Sequence, residues 1–297
     1  MRTIAITNHK GGSAKTTTAV NLGAALAAQG RRVLIIDMDP QGSATSWLGV
    51  QNAHYNVARA IRGDADLAEL VHETTAEGVQ LVPSSPTLIA NASLQESDVA
   101  LGFMRAMDRL PAVWDLVLVD CPPTLGYLAV APLAACQGVL IPVEAHVLAL
   151  AGLASLMTMT ERVRSRLNPG LRIEGILACR INGTTHSRLV VERIGESYPG
   201  LFMRTQVRES IRLAEAPGFH LPISRYAPAS TGDEDYRAAA EELVQRIAGP
   251  PVEPPVPARN RSVLSRVVDT VRSRPWLRDP AVARSSTDGG DHTDAGR

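Results

Sequence analysis

The residues with the clearest chemical meaning lie in a glycine-rich loop near the start of the chain. Residues 8–17 read Asn-His-Lys-Gly-Gly-Ser-Ala-Lys-Thr-Thr, between an apolar run and an Ala- and Leu-rich run. That context predicts a loop that follows a strand and opens a helix, where backbone N–H groups converge on an anion. The Lys15 ammonium would then reach the β- and γ-phosphates of a nucleotide, and the Thr16 hydroxyl would bind Mg²⁺.

Lysine is confined to this loop. The chain has 30 Lys and Arg residues, of which only Lys10 and Lys15 are lysines and the other 28 are arginines. Lysine is a compact point charge on a flexible stem, whereas arginine is a planar fork. Codon bias would explain the count if two lysines remained by chance. The presence of both lysines in one loop instead favours a shared role in binding phosphate.

Three carboxylates follow or end other apolar runs. Asp37 and Asp39 lie in the segment DMDPQG, and Asp120 lies in the segment VDCPP. Because the carboxyl ends of parallel strands line a common crevice, we expect these carboxylates to meet the glycine-rich loop there. A Mg²⁺ ion held by phosphate oxygens, Thr16 and waters needs such carboxylates nearby. For Asp37 and Asp39 a solvated turn is the alternative, because Asp-Pro pairs are common turn formers.

The elements that position these residues alternate along the chain. The predicted strands are 4–6, 33–36, 79–82, 114–119, 138–143 and 173–178, and clear helical patterns are 16–29 and 148–167. Gly30 is a suitable C-terminal cap for the first helix. Strands alternating with helices predict an α/β fold, a doubly wound and mostly parallel sheet with helices on both faces.

The C-terminal end changes character. We predict an α/β domain with the glycine-rich loop over residues 1–248, whose last helix is opened by the acidic run 233–235. A Pro-rich linker follows over 249–258, and a basic tail over 259–297. Residues 259–278 contain six arginines and one aspartate, with Val and Leu at helical spacing. Such a segment can be a marginally ordered extension, lie on a membrane, add DNA contacts or bind a partner.

Composition excludes several classes of protein. Apolar residues make up 45% and charged residues 20% of the chain, and the formal net charge is zero, so any basic surface must be local. Cys121, Cys136 and Cys179 have no paired spacing, which favours a reducing compartment over a disulfide or zinc framework. The start of the chain lacks a signal-peptide pattern, and the most apolar stretch, 128–157, is broken by polar residues and prolines. We therefore expect a soluble cytoplasmic protein.

The glycine-rich loop departs from the ordinary pattern G-x-x-x-x-G-K-[ST], because His9 and Ala14 occupy its glycine positions. Its actual pattern, K-G-G-x-x-K-T-T, resembles the deviant Walker A motif of the ParA/MinD superfamily of dimerising ATPases. The resemblance implies a P-loop NTPase with ATP and Mg²⁺ as cofactors. The nucleotide-binding residues it implies here are Lys10, Gly11, Gly12, Ser13, Ala14, Lys15, Thr16 and Thr17.

In that family the extra lysine, here Lys10, reaches across a dimer interface to the nucleotide held by the other subunit. A second cation there stabilises charge that develops on the γ-phosphate. The D-x-D-P-Q-G and D-C-P-P segments resemble the family's Walker A′ and Walker B motifs, so Asp39 is expected to position the attacking water. The implied catalytic residues are Lys10, Lys15 and Asp39. The implied metal residues are Thr16 and, through water, Asp37 and Asp120.

Two further segments resemble ParA/Soj-type partition ATPases rather than MinD. They are R-L-x-E-A-P at residues 212–217 and Y-x-P-x-S-x-G-x-x-x-Y at residues 226–236, so the resemblance spans about residues 1–248. Members of this branch bind double-stranded DNA without sequence preference as ATP-bound homodimers, and a ParB-like centromere-binding protein stimulates their hydrolysis. The resemblance implies a cytoplasmic, nucleoid-associated ATPase that drives plasmid or chromosome partition.

Arginines supply the phosphate contacts that such DNA binding needs. The candidates are Arg188, Arg204, Arg208 and Arg212, with Arg180 and Arg193 behind them. Of these, Arg188, Arg208 and Arg212 are predicted to bind DNA. A solvated Arg-rich surface is the alternative for each.

The candidates for the adenine pocket are Asn182 and Pro217. Asn182 can both donate and accept at the adenine edge, but as the residue before Gly183 it is equally suited to a turn. The segment 179–185 also departs from the M-Y-D-x-R-T pattern expected in many partition ATPases.

Other functions stay open at this point. A MinD-like membrane-associated spatial regulator would depend on the tail, but its apolar face is short and mostly Val, which disfavours membrane attachment. A ParA-like ATPase that positions protein cargo is the second alternative. A reductase of the nitrogenase-iron-protein type would need two cysteines placed to hold a cluster between subunits, and these cysteines are not so placed.

Overall fold

A computed structural model describes residues 1–51, 54–90, 96–124, 126–146 and 148–252. The chain divides into one compact unit, Met1–Pro255, and a second unit, Val256–Arg297. The second unit lies outside the described residues. The predictions for the Pro-rich linker and the basic tail therefore fall almost wholly outside them, and the domain division stays a prediction.

The described residues form eight strands and eleven α-helices. The strands are β1 (Arg2–Ile6), β2 (Val33–Asp37), β3 (His72–Glu73), β4 (Val79–Val82), β5 (Leu116–Asp120), β6 (Gly138–Glu144), β7 (Arg172–Ile181) and β8 (Phe202–Arg208). The helices are α1 (Lys15–Ala28), α2 (Ser43–Trp47), α3 (Val57–Arg62), α4 (Thr87–Ala90), α5 (Glu96–Asp108), α6 (Tyr127–Ala135), α7 (Leu148–Arg166), α8 (Thr185–Ser197), α9 (Ile211–Glu215), α10 (Ile223–Tyr226) and α11 (Thr231–Ala248). Short 3₁₀ helices cover Leu67–Leu70 and Ala216–Phe219.

The strands form one sheet in the order β3-β4-β2-β5-β1-β6-β7-β8, parallel except for β3 against β4. Every residue of β2 and β5 is buried. Continuous apolar runs produce this result because helices cover both faces of a parallel sheet. The predicted α/β class with a doubly wound, mostly parallel sheet is confirmed.

Register at the centre of the sheet sets the position of the site. Asp120 at the end of β5 is the partner of Ile6 on one side and of Asp37 on the other. The glycine-rich loop leaves β1 directly after Ile6. The loop and two of the expected carboxylates therefore meet at one edge of the sheet, as the sequence predicted.

Helix α1 carries the loop at its N-terminus and ends where expected. Gly30 has a φ of 80°, and its N–H donates to the carbonyl of Ala27 at 2.9 Å. Only glycine adopts that backbone conformation without steric strain. α11 packs against α1, where the Tyr236 and Thr18 hydroxyls form a buried hydrogen bond of 3.2 Å.

Two strands, β3 and β8, were not predicted from the sequence. β3 has only two residues. In β8 the buried residues Met203 and Val207 are separated by polar ones, and the run carries two exposed arginines. The Glu242 side chain of α11 secures β8 by accepting from the N–H groups of Arg204 (3.0 Å) and Thr205 (2.8 Å).

The last helix, α11, begins at Thr231, two residues before the acidic run. The Ser230 hydroxyl is the reason, because as the N-cap it accepts from the N–H of Asp233. Among the helices of the described ranges, none is both long enough and apolar enough to cross a membrane.

Packing of α5 on α3 gives a stability prediction. A Cβ at Gly102 would lie 2.2 Å from the Ile61 carbonyl oxygen, which is backbone and cannot turn away. Alanine gains about 1 kcal/mol of helix propensity, but overpacking costs about 1–3 kcal/mol or more. We expect Gly102→Ala to lower the free energy of unfolding in urea by roughly 2 kcal/mol.

The matched control is Gly183→Ala, because no atom lies within 4 Å of the position of its Cβ. Equal stability of the two variants would contradict the packing described for α5.

Candidate nucleotide-binding site

The loop between β1 and α1 has the backbone shape of an anion cradle. Gly12 and Ala14 adopt φ values of 78° and 63°. No atom lies within 4 Å of where a Cβ would stand on Gly11 or Gly12, so a phosphate can approach the backbone. Ala14 is the N-cap of α1, and its methyl side chain cannot satisfy the first N–H groups of the helix. Those groups remain available to an anion.

Lys15 lies inside this cradle. Its side chain is buried, and its Nζ donates to the Lys10 carbonyl at 3.2 Å. Burial lowers the pKa of Lys15, while Asp120 and Asp39 oppose that shift. An ammonium desolvated in this way gains more from a bound phosphate than one in water, since Coulomb attraction rises as the dielectric constant falls.

Asp120 is the least satisfied carboxylate in the described part of the chain. It is fully buried, and neither of its oxygens has a hydrogen-bond partner of normal geometry there. Burial and the neighbouring Asp37 raise the pKa of Asp120 well above its ordinary value, while Thr16 and Lys15 lower it. A buried carboxylate beside the Thr16 hydroxyl is suited to a hydrated Mg²⁺ ion. The residues present therefore fit the metal that the motif implies.

Asp37 has a different environment from Asp120. Its oxygens accept from the Asp39 N–H (3.0 Å), the Thr45 N–H (2.9 Å) and the Thr45 hydroxyl (2.7 Å). Burial raises the pKa of Asp37 to about 6, against the lowering effect of the Thr45 hydrogen bonds. Asp37 thus orients the turn that carries Asp39, and its contact with the metal shell stays a prediction. Sequence reasoning missed Thr45, because no local pattern marks it.

Asp39 lies at the mouth of the same site. It is largely buried, and its Oδ1 accepts from the Gln41 N–H at 3.0 Å. It is close enough to Lys15 and Asp120 to affect the pKa of each. The structure therefore brings Asp39 together with Lys15, Thr16 and Asp120, and its role toward water stays a prediction.

On the rim of the loop, the side chain of Lys10 has different surroundings from that of Lys15. Its side chain is 37% exposed, and its Nζ donates to Glu144 Oε2 at 3.1 Å and contacts His146 Nε2. The Asn8 side chain anchors the loop by donating to the Pro142 carbonyl at 2.8 Å. The partners of Lys10 follow from the register of β6, so no motif in the sequence marks them.

The adenine candidates lie on surface segments. Asn182 is exposed, and its Oδ1 accepts from the N–H (3.3 Å) and the hydroxyl (2.7 Å) of Thr184, as a turn residue does. Pro217 is half-buried in a 3₁₀ helix. The segment after it is tied to α2 by the Trp47 indole, which donates to the Leu221 carbonyl at 2.8 Å. Contact of either candidate with adenine stays a prediction.

The three predicted DNA-binding arginines differ in their surroundings. Arg208 pairs with Asp235 (2.7 Å) and Glu234 (3.2 Å), and Arg212 pairs with Glu215 (3.0 Å). The other candidate, Arg188 on α8, is exposed, and its side chain has no ion pair within the described ranges. These carboxylates reduce the positive charge that two of the three arginines present.

The fold and the site together define a P-loop NTPase of the deviant Walker A type. Its phosphate cradle, buried lysine and unsatisfied carboxylate lie at the carboxyl edge of a parallel sheet. An AAA domain family model matches residues 1–173. Similar proteins and solved structures identify the family within this class.

The chain is 41% identical over 248 residues to the chromosome-partitioning ATPase Soj of Thermus thermophilus, a match that covers 83% of this chain and 97% of that protein. It is 38% identical to the sporulation initiation inhibitor protein Soj of Bacillus subtilis, over 81% and 97% of the two chains. Cobyrinic acid a,c-diamide synthase of Mycobacterium smegmatis, solved with an ATP analog and magnesium, superposes with a TM-score of 0.73. That protein is 31% identical, over 84% and 96% of the two chains.

The chain belongs to the ParA/Soj-type family of AAA-domain ATPases. It is an ATPase, and its cofactors are ATP and Mg²⁺.

Because the Asp120 oxygens lack hydrogen-bond partners of normal geometry in the described part of the chain, we expect this carboxylate to destabilise the ligand-free protein while being needed for ATP hydrolysis. Since the folded state raises the pKa of this carboxyl, stability is lost as the pH rises above the ordinary Asp range. Without ligands at pH 7.5, Asp120→Asn should raise the free energy of unfolding by about 1–3 kcal/mol, and the gain should shrink toward pH 5. The same variant should lose Mg²⁺-dependent ATP hydrolysis.

Asp115→Asn is the control, because the hydrogen bonds of Arg32 lower the pKa of this exposed carboxyl. This variant should lose a little stability at neutral pH and retain hydrolysis. A destabilised Asp120→Asn protein at pH 7.5 would show that Asp120 is satisfied after all.

Proposed function

We propose that this chain acts as an ATP-bound homodimer that binds double-stranded DNA without sequence preference and drives chromosome or plasmid partition. A ParB-like centromere-binding protein would stimulate its hydrolysis, and the protein would be cytoplasmic and nucleoid-associated. The observation that carries the proposal is the difference in position between the two lysines, of which Lys15 is buried in the cradle and Lys10 is partly exposed on its rim. The chain that holds them is 41% identical to a chromosome-partitioning ATPase over nearly the whole of that protein.

Within one subunit, the chain's own residues divide the work on ATP. Lys15 and the N–H groups at the start of α1 would hold the phosphates, and their fixed positions need no rearrangement as charge develops. Thr16 and Asp120 would hold the hydrated Mg²⁺, whose charge neutralises phosphate oxygens when it is bound. Asp39 would orient the attacking water from the mouth of the site.

The rim position of Lys10 suits a role across the dimer interface. Its ammonium is on a flexible, partly exposed stem, and the neighbouring Gly11 and Gly12 are exposed, with no atom within 4 Å of where a Cβ would stand. A cation supplied in trans would make dimerisation and nucleotide binding depend on each other, because neither subunit alone neutralises the triphosphate fully.

DNA binding without sequence preference needs cations at the surface rather than a reading element. Arg188 offers a guanidinium without a competing carboxylate in the described part of the chain. Arg208 and Arg212 would have to exchange acidic partners for phosphates. Among the three, Arg188 is therefore the strongest candidate for a DNA contact.

Replacement of Lys10 tests the dimer. Arginine keeps the charge but is larger and planar, so it does not reproduce a compact ammonium against phosphate oxygens. We expect Lys10→Arg to abolish ATP-dependent dimerisation in sedimentation velocity and to lower ATP turnover by at least about tenfold. Its thermal unfolding without nucleotide should match the parent. A Lys10→Arg protein that pairs and hydrolyses like the parent would refute the trans role.

Removal of Arg188 tests the DNA surface. Each lost phosphate contact should weaken binding to any duplex and reduce the slope of log affinity against log salt by about one. We expect this change for Arg188→Ala in electrophoretic shifts on arbitrary duplex DNA with ATP, and no shift with ADP. Arg109→Ala is the matched control, because Arg109 is an exposed arginine paired with Asp66. Equal binding by the two variants would remove Arg188 from the DNA surface.

A further inference from the structure

The ammonium of Lys10 is held by its own subunit. Its Nζ donates to Glu144 Oε2 at 3.1 Å and contacts His146 Nε2, and both partners stand at or just beyond the end of β6. The Asn8 amide ties the loop to the same strand through the Pro142 carbonyl, and its oxygen accepts from the Lys10 N–H at 3.2 Å. The end of β6 therefore fixes both the backbone and the charge of the rim lysine.

Glu144 divides its two oxygens between two cations. Oε2 accepts from Lys10, while Oε1 lies 3.0 Å from the guanidinium of Arg180. Because Cys179 is the register partner of Glu144, Arg180 stands at the same end of the neighbouring strand β7. Arg180 also pairs with Glu209 at 3.3 Å, and its side chain is half exposed.

We propose that Glu144 is a positioning residue that retains Lys10 within its own subunit and thereby competes with dimerisation, and that Arg180 makes the release of Lys10 easier. The inference rests on the proposed function, because it takes the trans role of Lys10 as its starting point. A single ammonium cannot neutralise both Glu144 and the triphosphate of a partner subunit. When Lys10 leaves, Arg180 still neutralises the partly buried Glu144, so no unpaired carboxylate results.

The exposure of the pair sets the strength of this competition. With the Lys10 side chain 37% exposed and that of Glu144 22% exposed, solvent screens the attraction substantially. A screened pair changes an equilibrium by a modest factor, whereas a triphosphate presents several charges in a dry interface. The contact with Glu144 therefore sets the ATP and protein concentrations at which dimers form, and it does not block them.

The two residues should act in opposite directions. Glu144→Gln removes the charge that retains Lys10 and should lower the dimer dissociation constant by about two- to tenfold. Arg180→Gln leaves Glu144 with Lys10 as its main cation and should raise that constant by a similar factor. The double variant should resemble Glu144→Gln alone, because Arg180 acts only through the carboxylate.

The experiment is sedimentation of the full chain over a range of protein concentrations with Mg²⁺ and a non-hydrolysable ATP analogue, without DNA. Glu196→Gln is the matched control, because it removes one surface glutamate that is paired with an arginine, Arg193, and does not touch Lys10. Its dissociation constant should equal that of the parent. Thermal unfolding without nucleotide checks that the variants are folded, and a gain in dimerisation is not an effect that misfolding produces.

The outcomes separate the two proposals. If the parent dimerises and Lys10→Ala does not, but Glu144→Gln dimerises no better than Glu196→Gln, the retaining role of Glu144 is refuted and the proposed function stands. The same holds if Arg180→Gln strengthens dimerisation. A parent chain that stays monomeric with the analogue at every concentration overturns both.

Discussion

The arrangement of this protein depends on charge concentrated at the dry carboxyl edge of a parallel sheet. Lys15 and the carboxylates of Asp37, Asp39 and Asp120 lie there within reach of one another, mostly buried. Burial shifts the pKa of Lys15 downward and those of Asp37 and Asp120 upward, so the charged form of each group is less stable here than it would be in water. A site of this kind lowers the stability of the protein without ligands. Binding of highly charged ligands such as Mg²⁺ and ATP then stabilises the folded state.

Lys10 and Lys15 differ in position and therefore in how each can interact with phosphate. Lys15 begins α1 and is enclosed by the loop, whereas the Lys10 ammonium stands on the rim, beside the Glu144 and His146 side chains at the end of β6. A buried lysine interacts strongly with phosphate, whereas a lysine in a partly exposed ion pair can exchange its partner easily. An exchangeable cation is suited to the proposed switch between one subunit and two, in which the neighbours Glu144 and Arg180 would adjust how readily the exchange occurs.

The C-terminal half of the domain stabilises the β8 edge of the sheet. Glu242 binds the backbone of β8, and Tyr236 joins α11 to α1, so the last helix is part of the core. The surface arginines around β8 are mostly neutralised by carboxylates nearby.

Local patterns in the sequence were enough to predict the phosphate loop, the central strands and the carboxylates at their ends, because apolar runs, glycines and strand-end aspartates carry local information about parallel sheets. The sequence did not determine β8, whose pairing depends on α11, or the ion pairs of Arg208 with α11. It also gave no sign of Thr45 beside Asp37 or of Glu144 beside Lys10. Lys10 and Glu144 are 134 residues apart in the chain, and only the register of β6 beside β1 brings them together. Such contacts arise from tertiary packing, so no local pattern specifies them.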